Sequence, residues 1–253
     1  VAWFKKAAVQ GDATAQIHLN ELSAKVPDTN DPVLPLKPEH EKSWHFSPAL
    51  LEQANEMEQG NGFAIVPAGV EDISKLLLFY MHHPVAGYDL KRVEVIYNRN
   101  LNQSFERQLC LLESRAHPSS ANAFAPRWSN EDNALWRGVI NQRCQDMSAP
   151  HQDSDFKAVK LLPMWHGTSD ANLESLLRAG YANLATTDAG FFGKGIYTTA
   201  EPGYAFRCYS NNSGPLILNW VAFYSAYPVI DGDMGKLAGR ANYQNYDAHF
   251  IPV

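Results

Sequence analysis

The chain has 253 residues, 45% of them apolar and 11% aromatic, enough to bury a full core in one or two domains. A net charge of −6 and a pI near 5.8, with no basic stripe, argue against a general nucleic-acid-binding surface. No apolar run reaches the length of a membrane span, Val1 onward lacks a signal-peptide pattern, and Cys110, Cys144 and Cys208 have neither metal-site nor disulfide-framework spacing, which fits a reducing compartment.

In chain order, the first segment is Ala2-Trp3-Phe4-Lys5-Lys6-Ala7-Ala8, then Gly11-Asp12, Ala15-Gln16 and Leu19. Ala7, Ala8 and Ala15 would let two helices approach closely, with Gly11 ending the first as a C-cap. This pattern resembles the second half of a Sel1-like repeat, a helical hairpin related to the tetratricopeptide class. Residues 1–25 are therefore expected to be a partial helical repeat. One half-repeat cannot bury its own face, and such arrays need about three units. A piece of a longer repeat-bearing protein, recruiting partners through its repeats, is one reading. A single amphipathic helix packed on the rest of the chain is the other.

Residues 26–38 are rich in Pro and Asp, and a linker is expected over 26–42, with the main domain at 43–253. Ser47 as N-cap, Pro48 in the first turn and Gly60 as a stop predict a helix over 47–60. A second short helix is expected over 71–82. Residues 115–158 are a polar insertion expected to hold one helix, with Trp136, Val139 and Ile140 on a shared face.

Two pieces then carry the chemistry. An apolar run from Val159 leads into Trp165-His166-Gly167-Thr168, which reads as a buried strand presenting one imidazole and a flexible backbone at its end. Thirty-one positions after His166, Gly190-Phe191-Phe192-Gly193-Lys194-Gly195-Ile196 leads into Tyr197. The glycines permit close backbone approach or positive φ. Tyr197 offers a ring face for stacking and a hydroxyl at its tip. An imidazole, a backbone amide and a stacking ring suit a planar carboxamide such as nicotinamide. Either piece alone has an ordinary structural explanation as a core histidine or a Gly-rich turn. Their order and spacing together do not.

The pair resembles the catalytic core of the diphtheria-toxin-like ADP-ribosyltransferases, the poly(ADP-ribose) polymerase family. The likeness spans about residues 85–253. It takes in Val93–Leu101 with Phe105-Glu106, the helix over Asn172–Gly180, the strand over Leu216–Tyr224 and the segment Tyr246-Asp247-Ala248-His249. It implies an α+β fold, a split antiparallel β-sandwich with N-terminal helices packed alongside and NAD in the cleft. It also implies that His166 bonds the nicotinamide-side ribose, the Gly167 backbone holds the carboxamide, Thr168 and Gly193 line the site, and Tyr197 and Tyr209 sandwich the ring. His166 and Tyr197 are thus the catalytic candidates, with NAD as substrate and no metal.

Two departures stand out. Ala205 occupies the position where the family often has a carboxamide-bonding Ser. The family's third catalytic residue, often a Glu on a later strand, has no counterpart up to Val253, and Asp231, Asp233 and Asp247 do not sit in its pattern. The expectation is a chain cut before that strand. Asn98 and His249 are read as structural, through local hydrogen bonds or caps.

The implied activity is glycosyl transfer from NAD onto a protein, mono- rather than poly-ADP-ribosylation, in the cytoplasm or nucleus, or in a host cytosol for a secreted bacterial effector. The alternatives are a catalytically weak NAD- or ADP-ribose-binding module and, against the acidic pI, transfer to an RNA end as in the related tRNA phosphotransferases.

Overall fold

The computed structural model describes residues 2–6, 14–15, 56–57, 62–79, 85, 87–119, 121–181 and 190–252. The linker over 26–42 lies outside the described residues, as does the helix expected over 47–60 apart from 56–57, which are helical.

The strands are β1 (Ala2–Lys6), β2 (Thr14–Ala15), β3 (Phe63–Pro67), β4 (Glu94–Asn98), β5 (Lys160–Gly167), β6 (Ile196–Thr199), β7 (Leu216–Phe223), β8 (Ala226–Pro228) and β9 (Ala248–Pro252). The helices are α1 (Val70–Phe79), α2 (Arg99–Ser114), α3 (Ala121–Phe124), α4 (Ala134–Ser148), α5 (Asp170–Ala179), α6 (Pro202–Tyr209) and α7 (Met234–Leu237). Seven strands form one sheet in the order β2-β7-β5-β6-β1-β9-β8, while β3 and β4 form a second, two-stranded sheet. Every pairing is antiparallel except β8 with β9. The fold is α+β.

The helical reading of residues 1–25 differs from the structure wherever that stretch is described. Ala2–Lys6 is a strand hydrogen-bonded between β6 and β9, and Thr14–Ala15 pairs with β7. A short helix draws most of its stability from packing an apolar face against a neighbour. Strand pairing instead satisfies this segment's backbone groups, and Trp3 and Phe4 are good strand formers.

The core is built around the long β5–β7 pair, in register from Lys160 opposite Phe223 to Gly167 opposite Leu216. Alternation puts Leu161, Trp165, Leu218, Trp220 and Ala222 on one face, where they pack with Phe105, Leu109 and Leu112 of α2. Those three α2 residues recur at i, i+4 and i+7, the helical signature of a buried stripe. The opposite face carries Leu162, Met164, Val221 and Phe223, covered by Cys144 of α4 and Phe250 of β9. Burial pushes the Cys144 thiol up to about 12. The small sheet joins through Val95 and Tyr97 on one side and through Ile96 with Leu177 and Ile217 on the other.

Asn98 couples these elements. Its Oδ1 accepts from Leu101 N at 3.1 Å as the N-cap of α2. Its Nδ2 donates to the Leu177 and Arg178 carbonyls, each at 2.9 Å, at the end of α5. Glu113 near the end of α2 accepts from Ala158 N and Val159 N, which fixes where β5 begins.

The 115–158 insertion holds α3, α4 and two 3₁₀ turns rather than one helix. Of the shared face expected on α4, only Ile140 packs inward, against the core beside β5 and β7. Trp136 and Val139 are exposed, whereas Arg137 is buried. An ion pair decides this orientation: Arg137 donates to both Asp233 oxygens at 2.7 and 2.9 Å and to the Pro228 carbonyl at 2.7 Å. Its guanidinium lies 4.9 Å over the Tyr227 ring. A buried Arg needs this complete set of partners, and seating it turns the neighbouring Trp136 outward.

Candidate functional site

β5 and β6 run side by side, meeting at Trp165 opposite Thr199, and this contact brings the two motifs together. His166 Nδ1 lies 2.9 Å from the Tyr197 carbonyl oxygen. A carbonyl can only accept, so Nδ1 carries the proton and Nε2 keeps a lone pair when the ring is neutral. Burial lowers the imidazole pKa, partly offset by this hydrogen bond, so the neutral form predominates at pH 7. The side chain therefore presents an acceptor suited to a hydroxyl donor.

Two aromatic rings frame that imidazole. Tyr181 meets it edge-on, centroids 4.9 Å apart and planes at 84°. Tyr209, at the end of α6 and 37% exposed, lies nearly parallel to it at 6.5 Å and 18°. Tyr204, one turn earlier on α6, is 6.3 Å from Tyr209. Tyr209 thus offers a partly open ring face beside His166.

Gly167 is what lets α6 come this close. A Cβ at that position would collide with the Ala205 carbonyl and lie 2.6 Å from Ser210 Oγ and 2.9 Å from Tyr209 Cβ. Only the missing side chain lets the end of β5 and the end of α6 touch. Thr168 is buried behind it, donating its N–H to the Pro215 carbonyl at 3.3 Å. Ala205 is fully buried and faces Gly167 through its carbonyl.

The glycine-rich loop is tied down by Tyr197 itself. The Tyr197 hydroxyl donates to the Gly193 carbonyl at 2.8 Å and accepts from Phe192 N at 3.1 Å. Gly190 has φ 58°, and a Cβ there would lie 2.5 Å from the Tyr197 hydroxyl. The hydroxyl at the tip of the ring is therefore the anchor of the loop. The residue packs against the cluster of Tyr227, Val229, Leu237, Tyr246 and Ile251. Gly193 is buried and contributes its carbonyl to that anchor. Phe191, at the tip of the loop, is 75% exposed.

A second tie comes from β9. His249 Nδ1 donates to the Phe192 carbonyl at 2.8 Å, and its Nε2 accepts from Tyr243 N at 3.0 Å. The ring is buried between these partners, a structural role like that of Asn98. Lys194 N donates to the Arg240 carbonyl at 2.6 Å, a third clamp on the same loop.

The structure thus gathers His166, Gly167, Tyr197 and Tyr209 in one place, with Thr168 and Gly193 behind them. It commits two of the carboxylates considered from sequence elsewhere. Asp233 is bonded to Arg137, while Asp247 pairs with Arg115 and accepts from Tyr224 N and Ser225 N. Asp231 is exposed. No group of three or more His, Cys, Asp or Glu side chains able to hold a metal occurs among the described residues. Among the described residues, no helix is long and apolar enough to cross a membrane.

Sequence reasoning missed Tyr181 and Asn219. Tyr181 follows the helix-ending Gly180, and Asn219 interrupts the apolar run Leu216-Ile217-Leu218-Asn219-Trp220-Val221, the one polar residue in that strand. That interruption was the available signal, since a buried amide in a core strand requires partners. The chain matches no protein-family model and no curated protein.

Proposed function

We propose that the chain is an NAD-dependent ADP-ribosyltransferase domain that transfers a single ADP-ribose to a protein, and that its sheets correspond to the split sandwich of that enzyme class. One observation carries the reading: the His166 imidazole bonds the Tyr197 main chain, so two motifs 31 positions apart form one site. The resemblance of both motifs to that family supplies the chemistry, and the geometry is compatible with it.

In this reading His166 Nε2 accepts a hydrogen bond from a ribose hydroxyl of NAD. The nicotinamide lies against the partly open Tyr209 ring, with the Gly167 backbone at its carboxamide. The side chain of Ala205 adds no hydrogen bond there. The bond from the ribose anomeric carbon to the nicotinamide nitrogen breaks, its electron pair passing to that nitrogen and neutralising the pyridinium. A nucleophile on the acceptor protein then bonds the anomeric carbon and gives up its proton. The chain's part is to hold the ribose and the leaving group in position. Asp233 and Asp247 are spent on Arg137 and Arg115 and take no part in steadying the ribose cation.

Calorimetric titration with NAD and with a benzamide-type analogue tests the reading. Both should bind the wild-type chain, and His166→Ala and Tyr209→Ala should each weaken NAD, the lost stacking alone being worth about 0.5–1.5 kcal/mol. Absence of heat from a folded protein, or unchanged titrations in both variants, removes it.

A further inference from the structure

We propose that Tyr181 and Asn219 are positioning residues that hold the His166 imidazole in one orientation and one tautomer, an inference that takes from the reading above only the importance of His166. Asn219 is completely buried in the middle of β7. It stands opposite Met164, and His166 stands opposite Ile217, so Asn219 and His166 point to the same face of the β5–β7 pair.

The hydrogen bonds around Asn219 have only one consistent assignment. Its Nδ2 donates to the Ile217 carbonyl at 3.0 Å and approaches the Met164 carbonyl at 3.5 Å. Carbonyls cannot donate, so the amide nitrogen must face them and Oδ1 must face Tyr181. Tyr181 then donates its hydroxyl to Oδ1 at 2.9 Å. Gly180, with φ 76°, turns the chain at the end of α5 and delivers Tyr181 onto this face, where its ring is buried.

An apolar pair of similar size would fill the same space without desolvating an amide and a phenol. What the polar pair adds is direction. The phenol is pinned at its tip, so its ring stands as a fixed wall against His166, 4.9 Å away and nearly perpendicular. The bond to the Tyr197 carbonyl by itself leaves the imidazole able to turn about its last torsion, which is broad and two-fold. The wall of Tyr181 on one side and the parallel ring of Tyr209 on the other restrict that turn. Nδ1 stays on the Tyr197 carbonyl, and Nε2 stays the unprotonated nitrogen.

Nitrogen NMR of the imidazole, in the 253-residue chain labelled with ¹⁵N-histidine, tests this, with His166→Gln to assign the signal. The wild type should show a single Nδ1–H tautomer for His166. Tyr181→Phe keeps the ring but loses the pin, and its ¹⁵N shifts should move toward the average of the two tautomers. Because Tyr181→Phe leaves Asn219 Oδ1 without its donor, Tyr181→Phe/Asn219→Leu, which removes that amide as well, is measured beside it and should show the same averaging. A single unshifted tautomer in both variants overturns the proposal. NAD titration of the same proteins should show affinity falling roughly tenfold, the scale of a modest misplacement. If His166→Ala leaves NAD binding intact, the functional reading falls while the tautomer result still decides the positioning role.

Discussion

A neutral His166 has a consequence for stability that can be read by titration. Its pKa is lowered from the ordinary 6.5, chiefly by burial. The unfolded chain therefore takes up a proton at higher pH than the folded one does. The stability held by the neutral ring is fully present above about pH 6.5, and it is lost as pH falls through the lowered folded value. Thermal unfolding of wild type and His166→Gln between pH 7.5 and 5 should show the wild type losing stability more steeply on acidification. Parallel curves would mean that the ring is as easily protonated in the fold as outside it. In Tyr197 the atom that meets His166 is the main-chain carbonyl oxygen, while the hydroxyl holds the loop. The motif flags an aromatic ring in a glycine loop, but nothing in a one-dimensional string reveals that its hydroxyl is bonded to Phe192 and Gly193 of that same loop.

Elements meet here through small residues and shared caps. Gly167→Ala would press a methyl group into the Ala205 carbonyl and against Tyr209, so α6 must shift or the end of β5 must bend. The expected cost is about 1–3 kcal/mol. Denaturant unfolding measures that cost, and a change in Tyr209 fluorescence should accompany the displaced helix. A wild-type midpoint would show that α6 has room to yield. At this scale the sequence was most legible for α1, α5 and β5, through helical spacing or an apolar run, while β4 and β7 were expected from the resemblance. Asn98 as a cap and Gly180 as a helix stop are local signals of that kind. The first residues were misread because small residues and a glycine favour a helix only when a neighbouring helix covers it, and pairing with β6 and β9 wins instead. The orientation of α4 was illegible for a different reason. Its apolar spacing favours burying Trp136 and Val139, and only the distant Asp233 shows that Arg137 takes the inward place.

On the scale of the whole molecule, Arg137 links α4 to β8 and to the turn before α7. Arg137→Ala would leave Asp233 buried without its main counter-charge, at a cost of about 3–5 kcal/mol. A built-in reporter for that loss lies on the same helix. Cys144 is sealed between α4 and the β5–β7 pair with its thiol pushed up to about 12, while Cys110 and Cys208 are exposed. An alkylating reagent needs both access and thiolate, and Cys144 offers neither until the core opens. Cys208 should label from the folded state, Cys110 more slowly because burial and Glu106 raise its thiol, and Cys144 only at the pace of global opening, which in Arg137→Ala should be roughly a hundred- to several-thousandfold more frequent. Equal slow labelling in the two proteins would count against the Arg137 link as a whole-molecule brace. The three thiols thus amount to a clock inside the fold: the slow one times how often the core comes apart, and Cys208, next to Tyr209 on α6, gives a place to mount a probe at the edge of the candidate site.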